Sequence, residues 1–449
     1  MRGPRSEPVH PSRAIRGRTT QLLAGRRILV GVSGSIAAIE VPRIVRELIR
    51  HGADVQAVMS PEATRLVTPE TIEFATGHPP IVQLTGQVEH VRELGPGEGR
   101  ADLYLIAPAT ANTLSKIAHG IDDTPVTSFA SIALGGGVPI LLAPAMHEDM
   151  HRNPAIQESL AKLRAWGVAV VASKSVEGEE KLAPPEEVAA AVLHRLGRPP
   201  WAGRTVVVVG GASREPIDAV RSVTNESSGA TAVALANQAY YRGADVELWA
   251  GALQVPVPAW LPVRTWSRVE DLVALARERA PSLSRAAAVI VPAALSDFTL
   301  DARAGKIPSR ELAHLTITLH RAPKVLPELR RLAPPPTRLV AFKLLAGEGR
   351  ERLEAEARRL RDETRADWVV ANDVATMGSP EIDAWLVPPR GPAREVHAAK
   401  PEFAGRLLDE VGADLPRPGE GSAASDAHRP RARRRGRPRR ASTRPDRPA

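Results

Sequence analysis

The 449-residue chain contains no cysteine. Disulfides, thiolate-bound zinc and a cysteine nucleophile are thereby excluded, and the composition fits a reducing compartment. No stretch approaches the ~18 consecutive apolar residues a membrane helix needs. The arginine-dotted start lacks the apolar centre of a signal peptide. These absences lead to the expectation of a cytoplasmic protein with no membrane partner. What is present is a hydrophobic content of 43%, enough for large cores. The length suits three domains or fewer, at ~150 residues each.

The net charge of +9 is unevenly spread. Residues 1–27 carry +6, from seven arginines against Glu7. Residues 416–449 carry +8, from eleven arginines against three acids, which leaves 28–415 at −5. A domain built to bind phosphate backbones would carry basic charge on its folded surface. Nucleic-acid binding is therefore not expected of the body and is left to the arginine-rich tail alone. Residues 429–440 hold eight arginines in twelve positions, a composition that cannot pack a core. Disordered basic segments are expected at 1–25 and 416–449.

Between them, short apolar runs alternate with amphipathic helical stretches, the pattern of βαβ units and a parallel sheet. RRILVGVSG (26–34), ADVQAVMS (53–60), ADLYLIAPA (101–109), VPILLAPAM (138–146) and VAVVAS (168–173) read as strands. Val41, Ile44, Val45 and Leu48 fall on one helical face. GRPPWAGR (197–204), with two prolines and two glycines, reads as a linker. The pattern then restarts with strands at 205–213, 244–251, 286–294, 338–345 and 366–373. The fold class expected is α/β: two successive Rossmann-like open parallel-sheet domains, 26–196 and 205–415.

In such sheets ligands bind outside the carboxyl ends of the strands. Three loops of the first domain qualify. GVSGSIA (31–37) runs straight into a helix whose free N–H groups suit a phosphate, although a tight helix entry without ligand explains it equally well. It is not G-x-G-x-x-G, so a dinucleotide is not the first choice. In 107–123, Thr110, Asn112 and Thr113 cluster after a strand, and helix capping explains only one of them. In 143–154, His147, Glu148, Asp149 and His151 fit polar substrate contacts better than a metal site. His90 alone reads as a surface or satisfied histidine.

Taken in succession, these segments carry more than any of them singly. GVSGSIAA (31–38), VEHV (88–91), IAPATANTLSKIAHGIDD (106–123) and PAMHEDMHRNP (144–154) are followed by GGASREPIDAVRSVTNESSG (210–229), PAALSDF (292–298), GKIP (305–308) and ANDV (371–374). This order resembles the bifunctional coenzyme A biosynthesis flavoproteins, in which a phosphopantothenoylcysteine decarboxylase precedes a phosphopantothenate–cysteine ligase. PAMH, with EEKLAPPEEV (179–188), resembles the archaeal branch. The resemblance implies FMN held by Ser33, Gly34, Ser35, Ser60, Thr110 and Asn112, with His90 as the catalytic histidine. The flavin would take two electrons from the cysteinyl thiol, ease loss of carbon dioxide and return the electrons, so the cycle is redox-neutral. In the second domain it implies activation of the 4′-phosphopantothenate carboxylate by CTP, aided by Mg2+, before attack by the cysteine amine. Asn225 matches the residue for the activated intermediate, Asp297 and Phe342 match nucleotide contacts, and Lys306 opens the K-x-K-K motif. The family's trimer-based assembly is implied as well.

The chain departs from the pattern in places. The substrate-carboxylate asparagine of PAMN is His147, and the proton-donating cysteine of bacterial members has no counterpart, which leaves proton return to water or another acid. SSGKMG has become SSGATA, K-x-K-K has become Lys306-Ile307-Pro308-Ser309, and AFKLLAG (341–347) replaces GFKAE-like text. Arg303 or Arg310 would be the replacement cations. The alternative reading is a flavin- and nucleotide-binding protein with weakened or lost ligase activity, a decarboxylase only or a regulatory subunit.

Overall fold

The computed structural model describes residues 10–172, 174–176, 179–308, 310, 314–347 and 349–415. The expected basic tail at 416–449 lies outside them. The first sheet contains β1 (Arg27–Val32), β2 (Asp54–Met59), β3 (Leu103–Ala109), β4 (Ile140–Pro144) and β5 (Ala169–Val170), in the order β2-β1-β3-β4-β5 with every pair parallel. Its helices include α1 (Val41–Arg50), α2 (Glu89–Leu94), α3 (Ala111–His119), α4 (Pro125–Gly136) and α5 (Pro185–Arg195). The strands are continuously apolar because both faces are covered. Ile28, Val30 and Val32 pack with Ile44 and Leu48 of α1 and Val188 of α5. Leu29, Tyr104 and Ile106 pack with Phe129 of α4 on the other side. The i, i+3, i+4, i+7 set of α1 is wholly buried, as an amphipathic helix on a sheet requires.

Residues 10–25, expected as part of a disordered arm, are folded. Pro11–Ala14 is a helix, Leu23 joins the first core, and Arg16 reaches Asp54 at 2.9 Å. The basic charge of this stretch is borne at the surface, while Leu23 and Ser12 beneath it are buried. Counting arginines hid the apolar anchor.

The second sheet has β6 (Thr205–Gly210), β7 (Asp245–Ala250), β8 (Val263–Thr265), β9 (Ala288–Val291), β10 (Arg338–Leu345), β11 (Trp368–Asp373), β12 (Glu381–Val387) and β13 (Arg394–Ala399). The order is β8-β7-β6-β9-β10-β11-β12-β13, parallel as far as β11 and antiparallel over the last two pairs. Helices α6 (Ala230–Tyr241) and α7 (Lys400–Ala413) pack together on one face, where Phe403, Leu407 and Val411 meet Leu235 and Ala239. The 197–204 segment is itself packed: Trp201 is 2% exposed and its Nε1 donates to the Leu408 carbonyl at 3.2 Å. Across this junction His194 of α5 stacks on Tyr240 of α6 with ring centres 4.2 Å apart.

Candidate active sites at the carboxyl edges of two sheets

In the first sheet β1 is flanked by β2 and β3, so the loops after β1 and β3 part company there, at the topological switch point. Ser33 holds them in register. It is 1% exposed, its hydroxyl donates to the Pro108 carbonyl at 2.6 Å, and it accepts from the Thr110 amide at 3.3 Å. Gly34 lets the β1 loop nest on the β2 loop, since a Cβ there would lie 2.4 Å from Glu62 Cβ. Above them opens a cavity of about 360 Å3, lined by Gly34, Ser35, Ser60, Thr110, Asn112 and Thr113, with Glu62, Lys116, Ala145 and Met146. Of the six residues expected to surround a flavin, five border this space; Ser33 lies beneath it as the staple.

Local hydrogen bonding fixes the rim. Thr110 caps α3 by accepting from the Thr113 amide at 3.2 Å, and the two hydroxyls meet at 2.9 Å. Ser60 Oγ accepts from the Ala63 amide at 3.2 Å and Ser35 Oγ from the Ala37 amide at 3.3 Å. Thr124 and Thr127, which sequence reading passed over, form a reciprocal capping box at the start of α4 and also border the cavity. The Thr-Pro step at 124–125 is a signal that could have found them. Lys116 extends to Asp123 at 2.7 Å on the same wall.

The two histidines are placed differently. His147 is half-exposed, caps the short helix Glu148–Arg152, and borders a second cavity of about 580 Å3 that shares Ser35, Ala145 and Met146 with the first. Among the described residues no group of three or more His, Asp or Glu is arranged to hold a metal ion. His90 does not border the first cavity. It lies on α2 against Phe129 of α4, ring centres 6.3 Å apart, and its Nδ1 is buried without a hydrogen-bond partner among the described residues. The entry to α2 is strained, because β-branched Val88 has φ of 45°. Glu89 secures that turn: its carboxylate accepts from the Thr85 hydroxyl and amide, which hold its pKa down at about 2.

The second sheet repeats the arrangement. Ser213, fully buried after β6, accepts from the Ser296 amide at 2.9 Å, and its own amide donates to the Ala294 carbonyl at 3.2 Å. The cavity here, about 530 Å3, is bordered by Asn225, Asp297 and Phe342, by the Ser227–Ala230 entry to α6, and by Lys343, Asn372 and Lys400. Asp297 is already paired with Lys324 at 2.8 Å. Lys306, Arg303 and Arg310 do not border it. The Lys306 segment is drawn elsewhere: the Ile307 amide donates to buried Asp218 at 3.1 Å, and the Gly305 carbonyl accepts from the Ala219 amide at 3.0 Å. Asp218 also accepts from the Val220 and Arg221 amides, and these backbone bonds lower its pKa. Three of the four residues expected in this site therefore meet and Lys306 does not. Lys400 was missed because no motif marks it.

Residues 16–197 match the Flavoprotein family model, and residues 201–415 match the DNA/pantothenate metabolism flavoprotein C-terminal domain. The chain is 39% identical over 406 residues to the coenzyme A biosynthesis bifunctional protein CoaBC of Thermococcus kodakarensis, covering 90% of this chain and 99% of that protein. It is 32% identical over 410 residues to the protein of the same name from Methanocaldococcus jannaschii, covering 90% and 98%. Among solved structures, the DNA/pantothenate metabolism flavoprotein of Streptococcus pneumoniae aligns at 24% identity with a TM-score of 0.42, over 47% of this chain and 99% of that one. The FMN-dependent cysteine decarboxylase SpaF aligns at 32% identity with a TM-score of 0.33, over 38% and 99%. With both family models matched in this order and nearly the whole length of the archaeal relatives covered, the chain belongs to the bifunctional coenzyme A biosynthesis proteins.

Proposed function

We propose that the second half joins 4′-phosphopantothenate to cysteine at the expense of CTP, and that the first half, with FMN, decarboxylates the product to 4′-phosphopantetheine. The observation that carries the reading is the meeting of five motif residues on one cavity at the first switch point and of three on another at the second. The first cavity suits FMN in its chemistry. A rim of hydroxyls and amides and the N-terminus of α3 suit a phosphate and a ring edge rich in acceptors. Bound there, FMN supplies a reversible two-electron sink, which no side chain can. Ser35, Ser60, Thr110 and Asn112 orient it, and Ser33 sets the spacing of the loops they stand on.

His90 is the acid–base group in this reading, and it serves the cavity of a neighbouring copy. Two features support that placement. His90 stays outside the cavity of its own chain, and apolar side chains are left exposed both beside the two cavities (Ile36, Met150) and beside His90 on α2 (Val91). A trimer-based assembly would bring the two surfaces together. His147 donates to the substrate carboxylate from the adjoining cavity. In the ligase half Asn225 holds the activated intermediate and Asp297 and Phe342 hold CTP, while Mg2+ enters with the phosphates. No helix among the described residues is long and apolar enough to cross a membrane, and we assign the protein to the cytoplasm.

Separate assays on one preparation test both halves. The account expects a yellow protein that releases carbon dioxide from 4′-phosphopantothenoylcysteine and consumes CTP with phosphopantothenate and cysteine. The position of Lys306 outside the nucleotide cavity favours a second reading, a decarboxylase with a weakened ligase half. Carbon dioxide release without CTP consumption would select it.

A further inference from the structure

If the cavity at the second sheet takes a nucleoside triphosphate, something must balance the phosphates. The motif lysines do not: SSGKMG reads SSGATA, and Lys306 is drawn away by the Asp218 hairpin. Lys324 is engaged by Asp297. Arg303 and Arg310 border no part of the cavity. Two cations remain on its wall, Lys343 at the end of β10 and Lys400 at the start of α7.

Lys400 is oddly placed for a structural residue. It is only 8% exposed, yet no carboxylate among the described residues pairs with it. Lysines are rarely buried so far without an anion. It occupies the first turn of α7, where the helix dipole and free N–H groups disfavour a cation. Burial lowers its pKa accordingly. Of its three donor hydrogens, one is taken by the carbonyl of Ser379, which ends the 374–379 loop on the cavity's edge. An anion in the cavity would satisfy the others and remove the cost of the buried charge. Lys343 faces the same space from the neighbouring strand, and among the described residues no acceptor meets its amine.

We propose that Lys343 and Lys400 form the phosphate-neutralising pair of the nucleotide site, two cations that stand outside the motif positions and border the same cavity. The inference rests on the ligase reading and says where that reading finds its charge. Phosphate-bound lysines act as point charges, so each should matter more as phosphates are added.

The test is equilibrium binding of CTP, CDP, CMP and cytidine to the full-length protein with Mg2+, for wild type, Lys343→Gln, Lys400→Gln and Lys400→Arg. The pair assignment predicts that each glutamine variant loses at least tenfold in CTP affinity, less for CMP and nothing for cytidine. Lys400→Arg should recover most of the loss. Flavin-dependent decarboxylation in the same samples should be unchanged, which separates a local charge effect from misfolding. A wild type that binds no nucleotide removes the ligase reading and the pair with it. A wild type that binds CTP while both glutamine variants bind it equally well overturns the pair alone. An equal loss for cytidine and CTP would make Lys400 a brace for the 374–379 loop and likewise overturn it.

Discussion

The two halves solve the same problem with the same device and then diverge. Each has an open sheet with a switch point beside its first strand, and each ties the loops there with a buried serine, Ser33 in one and Ser213 in the other. In the first half Gly34, Ser35, Ser60, Thr110 and Asn112 border the cavity from the β1, β2 and β3 loops, which the sheet itself fixes. In the second, the lysine of the motif lies on a long connection between β9 and β10, and a carboxylate on the Arg214–Thr224 hairpin accepts from the amide of its neighbour Ile307. Residues close to strand ends keep their place when the sequence drifts. Residues on long excursions go where their nearest partner draws them.

Substitutions can break that comparison. The largest effect should come from Gly34→Val: its side chain would drive into Glu62 and part the β1 and β2 loops. Flavin binding and decarboxylation should vanish while CTP binding persists, read by absorbance and calorimetry on one sample. His90→Gln should keep the flavin spectrum and lower decarboxylation by roughly 100- to 10,000-fold, the range for a lost acid–base group. Mixing it with Gly34→Val should restore part of the activity in mixed assemblies, if the histidine serves a neighbour's cavity. Unmixed rates would contradict that placement.

Smaller effects sharpen the contrast. Ser33→Ala and Ser213→Ala should each cost about 1–3 kcal/mol in denaturant unfolding, because each leaves a buried backbone group unsatisfied. Only the first should weaken flavin binding. The mildest effect concerns acid. The carboxyl of Glu89 has its pKa lowered from 4.5 to about 2, so its stabilisation of the Thr85–Glu89 turn is complete above pH 4.5 and is lost as pH falls through 2. Protection of the amides of Thr85 and of α2, expressed relative to the unstructured chain at the same pH, should fall over that window and stay level between pH 6 and 9. Glu89→Gln should be loosened at every pH and show no such transition.

Much of this was legible in the sequence because parallel strands buried on both faces announce themselves as apolar runs. RLVAFKLL at 338–345 forms β10 over those same residues. The antiparallel strands β12 and β13 at the end of the sheet went unread, since they show alternation rather than an apolar run, as in Glu381–Val387, where Ile382, Ala384 and Leu386 are buried. The residues around the first cavity could be named because motif and strand end coincide. Lys400 could not, because its importance arises from β13 and α7 carrying it across the sheet to a cavity whose motifs lie 100 or more residues earlier in part. Ser33 was assigned to the ligand, whereas its hydroxyl is consumed by the backbone of the β3 loop.

The central claim is that a flavin lies over the carboxyl ends of β1, β2 and β3. It is tested most directly by titrating FMN into the flavin-free protein and into Gly34→Val while following the flavin absorbance. The account predicts saturation at one FMN per chain for the wild type and no binding for the variant. A wild type that leaves FMN free, or a variant that binds it equally well, would contradict it.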